Sequence, residues 1–178
     1  MHLKWKIFFA VLIAIGIGIV SAVDIADRDM IYSRYVPEDE LQLFLSSDDI
    51  KDVYERSFEN PKYKYPRADV ANVKIYKNQF LISRLTSKTL SEENVQWIID
   101  FLNDPTNYDW TETTWQLNES DYILRFFDEN DNQIGTVWLC LVGCGMTESI
   151  PFSPNMKFGG LSSLGKRKLN RFLNQIYR

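Results

Sequence analysis

The sequence predicts an α+β domain: an antiparallel sheet of four to six strands packed by two or three helices, preceded by an N-terminal signal or anchor helix. Three observations carry that expectation. Between Asp121 and Cys144, two apolar, β-rich runs flank the polar turn formers Asp128 to Gln133, a strong hairpin signal. Two later stretches, opening near Ser91 and Leu161, repeat apolar residues at helical spacing. Ahead of both, an uncharged apolar run from Ile7 to Val23 follows Lys4 and Lys6.

That first run has the layout of an export signal: a basic start, an apolar stretch, small residues at Ser21-Ala22, then Asp24, Asp27 and Asp29. Cleavage after Ala22 is the expectation, with a retained membrane anchor over residues 7–23 as the alternative, because a spanning helix needs about 20 residues and roughly 17 at the least. Lysines before the run and aspartates after it keep the N-terminus inside, so both alternatives place the rest of the chain on the periplasmic or extracellular side. Residues 1–22 are thus expected to be the signal or anchor, 23–37 a tether, and 38–178 one domain.

The remaining elements follow in order. Pro37 before Glu38-Asp39-Glu40 signals a helix start, with Leu41, Phe44 and Leu45 on one face, and Ser47-Asp48-Asp49 starts a second stretch to about Phe58. Pro61 and Pro66 make Glu59 to Arg67 a solvated loop. Val70, Val73 and Ile75, the turn Lys77-Asn78-Gln79, and Phe80 to Ile82 are expected to form a first hairpin. Thr89 to Asn103 is a helix capped by Ser91, with Glu92 and Glu93 in its first turn and Val95, Ile98, Ile99 and Leu102 on its buried face; Asp104-Pro105 stops it.

Thr106 to Ser120 is a decorated loop or a weak edge strand around Thr113 to Leu117, and Asn118-Glu119-Ser120 is a glycosylation sequon if the chain enters a eukaryotic secretory pathway. Strands at Asp121 to Phe127 and Gln133 to Leu141 have no purely polar face and are expected to be central. A loop rich in Gly, Pro and Ser follows to Gly160, with a short strand at Ser149 to Phe152. The last helix buries Leu164, Leu169, Phe172, Leu173 and Ile176 and turns Lys166, Arg167, Lys168 and Arg171 outward.

Charge is unevenly placed along a chain of net charge −4. Loss of Lys4 and Lys6 from 20 basic residues against 24 acidic ones would bring it to −6. Thr89 to Ile150 contains twelve acids and only Arg125 as a base, whereas Met156 to Arg178 carries six bases and no acid. The expected outcome is that the basic C-terminal helix docks against the acidic middle. With an export signal and no binding motif, nucleic acid is not expected as a partner.

The residue inventory excludes several chemistries. His2 is the only histidine and lies inside the signal, which removes Ser-His-Asp and Cys-His catalysis from a cleaved chain and leaves a closed zinc site short of its four ligands. Leu161-Ser162-Ser163-Leu164-Gly165-Lys166 is a helix cap rather than a Ser-Lys pair. Asp128 to Gly135 alternates oxygen-bearing side chains as a calcium loop does, but Gln133 stands where Gly is needed and Leu139 where the bidentate Glu belongs, so a hairpin turn is expected. No metal and no cofactor is expected.

Cys140 and Cys144 are the only cysteines, and in an exported protein a disulfide is the expected state, with paired buried thiols or a redox or metal role as alternatives. An extended chain would hold the two about 13 Å apart, so a bridge requires the turn that Gly143 and Gly145 permit. Closing so small a loop contributes about 2 kcal/mol in the chain-entropy model. The Cys-x-x-x-Cys spacing of exported copper chaperones is not matched beyond the cysteines, since a downstream histidine and a proline after Cys144 are absent.

Phe126-Phe127-Asp128-Glu129-Asn130-Asp131-Asn132-Gln133-Ile134-Gly135, then Trp138-Leu139-Cys140-Leu141-Val142-Gly143-Cys144, then Gly160-Leu161-Ser162 before a leucine-rich helix, together resemble small exported bacterial proteins of unknown function. The resemblance covers the last third to half of the chain and implies no activity. With no catalytic set assembled, the expected function is a non-enzymatic binding or interaction module of the cell envelope, its partner an envelope protein or a glycan. Tyr108, Trp110 and Trp115, aromatic residues in a polar stretch, are its candidate binding residues. The alternative is a histidine-free hydrolase acting on glycan or cell-wall material through two of Asp109, Glu112, Glu119 and Asp121.

Overall fold

The computed structural model describes residues 4–19, 64–78, 87–109, 120–141, 147–151, 153–158 and 160–178. Expected features between residues 20 and 63, including the tether and the helices after Pro37, lie outside these segments, as do Phe80 to Ile82, Thr113 to Leu117 and Asn118 of the sequon.

Residues 4–19 form a helix, α1, whose side chains are exposed apart from a half-buried Ile17. Trp5, Phe8, Phe9, Leu12 and Ile13 are among the large apolar groups it leaves uncovered. No helix among the described residues is long and apolar enough to cross a membrane.

The body is α+β, as its periodicities predict. Its main sheet is antiparallel, built from β1 (Asn72–Lys77), β2 (Lys88–Thr89), β4 (Tyr122–Phe127), β5 (Gln133–Leu139) and β6 (Thr147–Ile150) in the order β2-β1-β4-β5-β6. A separate two-stranded ladder joins β3 (Tyr108–Asp109) to β7 (Gly160–Leu161). The expected hairpin is β4–β5, with Leu124 opposite Val137 and Tyr122 opposite Leu139, and it occupies the middle of the sheet. Its turn closes on Asp128, whose Oδ1 accepts from the backbone N–H groups of Asn130 (2.8 Å) and Asn132 (2.9 Å) while Oδ2 accepts from Asn132 Nδ2 (3.0 Å). Asp131 takes the positive φ of 59° that such turns need and that Asp tolerates. The carboxylate that heads the apparent calcium loop is therefore engaged in turn chemistry. Among the described residues the partners of β1 are β2 and, over its full length, β4.

Helices cover one face of this sheet. α2 (Glu92–Asn103) begins as expected at Ser91, whose side chain accepts from the Asn94 N–H, and buries Val95, Ile98, Phe101 and Leu102. A short helix, α3 (Pro154–Phe158), stands where a loop is expected; proline at a first helical position costs nothing, and Met156 behind it reaches the core at 1 % exposure. α4 (Ser163–Ile176) is capped by Ser162, whose side chain accepts from Gly165 N–H. Val73, Ile75, Leu124, Phe126, Val137 and Leu139 of the sheet meet Ile98, Leu102, Leu169, Phe172 and Leu173 of the helices in one apolar core.

Two sequence expectations are corrected here. Leu164 is 44 % exposed, and Gly165 takes its place against the protein. Leu169, Phe172 and Leu173 are buried and Ile176 half-buried as expected; only the first turn differs, where Gly165 lies so close to the backbone of Asn107 that no side chain fits between them. In the supposedly solvated loop before Arg67, Tyr65 is fully buried. Its ring meets Phe126 edge-on at 5.2 Å, and its backbone is clasped by Asn103, which accepts from Tyr65 N–H (2.8 Å) and donates to Tyr65 C=O (2.6 Å). Burial pushes the Tyr65 phenol well above its ordinary range.

Candidate binding groove

The turn that follows α2 determines how α2 and α4 face each other. Asp104 closes α2 by donating its N–H to Asp100 C=O (3.0 Å), and its own carboxylate then caps a single 3-10 turn, Pro105–Asn107, by accepting from Thr106 N–H (2.9 Å) and Thr106 Oγ1 (2.6 Å). The chain arrives at Asn107, 1 % exposed, which binds both helices. Its side-chain amide donates to Phe101 C=O (2.9 Å), and its backbone C=O accepts from Ser162 N–H (2.9 Å) at the start of α4. Lys168 then reaches across from α4 to Asn107 Oδ1 (2.8 Å) and Asp104 Oδ2 (3.3 Å). This is where the acidic middle and the basic C-terminal helix meet, as the charge distribution led us to expect.

Beyond that clasp the helices part into an open groove of about 480 Å³. Trp97, Asp100, Phe101 and Asp104 line it from α2, and Lys168, Arg171, Phe172 and Gln175 from α4. Both sets follow i, i+3, i+4, i+7, a single face of a helix. The floor is aromatic: Trp97 stacks on Phe172 with centroids 4.3 Å apart and on Phe101 at 5.2 Å, both nearly parallel. Its volume falls within the ~300–1,000 Å³ usual for small-molecule sites.

The rim carries charges of both signs. Burial works against ionisation of Asp104, but the two Thr106 hydrogen bonds and the nearby Lys168 outweigh it and hold its carboxyl below the usual value of 3.8. Asp100 is exposed and accepts from Gln96 Nε2 (2.9 Å). Arg171 is also exposed and, among the described residues, makes no ion pair with either carboxylate.

Of the residues singled out from the sequence, those that are described do not line this groove. Tyr108 is 6 % exposed, donates its hydroxyl to Leu102 C=O (3.1 Å), and has a phenol driven far upward by burial, which makes it a packing residue of the core. Trp110 and Trp115 lie outside the described segments, as do Glu112 and Glu119. Asp121 holds the β4–β5 ladder together, its N–H donating to Leu139 C=O and its Oδ2 accepting from Leu141 N–H. Cys140 is 1 % exposed just past the end of β5. Cys144 lies outside the described residues. Ser163 and Lys166 do stand one turn apart at the start of α4, but no hydrogen bond joins them and Ser163 is exposed. No group of three or more His, Cys, Asp or Glu among the described residues is placed to hold a metal.

The groove itself was missed in the sequence because Trp97 and Phe101 share α2 with a stronger aliphatic stripe. A second stripe of mixed character at the same spacing is the signal that would have found it. No family model matches the chain, and neither a curated protein nor a solved structure matches it.

Proposed function

We propose that this chain is an exported or membrane-anchored, non-enzymatic binding module of the cell envelope, and that the α2–α4 groove is its binding surface. The groove carries the proposal: it is an aromatic-floored cleft of ligand size, held open by a buried asparagine, with Asp100 and Arg171 on its rim making no ion pair among the described residues. The export half rests on the apolar helix α1, whose uncovered side chains suit a signal sequence or a membrane far better than water. A Cys140–Cys144 disulfide, formed outside the cytoplasm, belongs to the same proposal.

The hydrolase alternative is weaker on this geometry. Asp100 and Asp104 share the α2 wall of the groove, but a general acid needs a raised pKa and Asp104 is shifted down. Sugar stacking on Trp97 is also disfavoured, since Phe101 and Phe172 already stack on its ring.

Two measurements test the proposal. A reporter enzyme active only outside the cytoplasm, fused to the C terminus, should be active with residues 1–23 present and inactive without them. Cross-linked capture from the cell envelope should yield a partner that Arg171→Glu loses, this exposed residue being changeable without disturbing the core. Recovery of the same set by wild type and variant would remove the groove as the surface that holds an envelope protein.

A further inference from the structure

We infer that the α2–α4 groove takes a small zwitterionic ligand with an apolar body, of the free amino acid or short unblocked peptide class. This rests on reading the groove as the binding surface. Of the four charges that line it among the described residues, Asp104 and Lys168 are joined at 3.3 Å, and Lys168 is further held by Asn107, so both serve the fold. Asp100 and Arg171 are left. Each is exposed, each stands on a different helix, and no ion pair joins them across the groove. The Asp100 hydrogen bond from Gln96 goes to Oδ1, leaving Oδ2 for a ligand, and Gln175, exposed and one turn from Arg171, supplies an amide beside the guanidinium.

Charge complementarity then discriminates among ligands. An anion attracted to Arg171 meets Asp100 and Asp104; a cation attracted to Asp100 meets Lys168 and Arg171; a neutral apolar molecule on the Trp97 and Phe172 edges strips water from both free charges and returns nothing. A ligand carrying an ammonium and a carboxylate about a compact apolar body answers each charge with its opposite and covers the aromatic floor. At about 480 Å³ the groove accommodates a ligand of that size, whereas a standard protein interface covers ~800 Å² on each partner.

The test uses the full chain in detergent micelles and four probes: leucine, N-acetylleucine, leucinamide and N-acetylleucinamide, titrated while amide and indole NMR shifts are followed. Leucine should bind, each singly blocked form about fivefold more weakly, as loss of one exposed charge pair implies, and the doubly blocked form more weakly again. Arg171→Gln should abolish the preference for leucine over leucinamide and keep that over N-acetylleucine; Asp100→Asn should do the reverse. Equal binding of all four probes, or no leucine-induced shift at Trp97 at about 10 mM, well above a 1 mM dissociation constant, overturns the inference. If leucine fails while Arg171→Glu still loses its envelope partner, the zwitterion is wrong and the groove stands; if both fail, the groove falls as well.

Discussion

Gly165→Ala sets two physical effects against each other. In the first turn of α4, helix propensity alone favours alanine by up to about 1 kcal/mol. The tertiary structure says the opposite. A Cβ at this position would sit well inside van der Waals contact of the Asn107 carbonyl oxygen, with the Asn107 carbonyl carbon at 3.0 Å and its Cα at 3.2 Å. The obstacle is backbone, and it is fixed from both sides, by Ser162 N–H on the Asn107 oxygen and by the Asn107 amide on Phe101 C=O. Overpacking of this kind costs about 1–3 kcal/mol, and loss of the Ser162 hydrogen bond adds about 1 kcal/mol. After the propensity gain the net is a destabilisation of about 1–3 kcal/mol, or a fall in Tm of roughly 3–10 °C for a domain of this size. Thermal unfolding followed by circular dichroism measures it. Leu164→Ala, at the exposed neighbour, should move Tm by no more than a degree or two, about 0.5 kcal/mol. A Tm for Gly165→Ala equal to or above wild type would mean that the α4–Asn107 approach is looser than described, and the geometry of the groove would have to be redrawn.

Three further outcomes follow from the same contacts. Asn103→Ala leaves the Tyr65 N–H and C=O part-buried without their partner and should cost about 2–3 kcal/mol by denaturant titration. Lys168→Met should cost about 1–3 kcal/mol at neutral pH: the ion pair with Asp104, about a third exposed, contributes under about 1 kcal/mol, and the rest comes from the buried Asn107 Oδ1 left without its donor. As the folded-state pKa of Asp104 is depressed, its ionic contribution is present above the usual value of 3.8 and is lost as pH falls through the lower folded value; the stability curves of Lys168→Met and wild type should therefore draw closer below about pH 4 by the ion-pair part of the gap, and a constant gap down to pH 2 would contradict the pairing. Thiol titration in denaturant should find no free cysteine before reduction and two after, with reduction lowering stability by about 2 kcal/mol; free thiols before reduction would exclude the Cys140–Cys144 bridge.

Much of the fold was legible locally. The β4–β5 hairpin follows from apolar alternation around a run of Asp and Asn, and its central place in the sheet follows from strands with no purely polar face. The α2 start at Ser91 follows from a side-chain oxygen that accepts an orphan N–H group, as Ser162 does for α4, and the α2 stop at Asp104 follows from the proline that comes next. These are interactions between residues a few positions apart, and the order of residues states them.

Contacts across long separations were decided only in three dimensions. Tyr65 looked like a loop residue between prolines, and it is a core residue because Asn103, 38 positions later, clasps its backbone. Tyr108 stood among polar residues like a surface aromatic and is enclosed because α2 offers it Leu102 C=O. The face of α4 was legible from Leu169 to Ile176, and its first turn was not, because Asn107 occupies the space a side chain at Gly165 would need. The groove belongs to this second class. Each of its walls is written in the sequence as a stripe at i, i+3, i+4, i+7, but a stripe is half a site; only the turn at Pro105–Asn107 and the Lys168 clasp turn the two stripes toward each other, and with them Asp100 and Arg171.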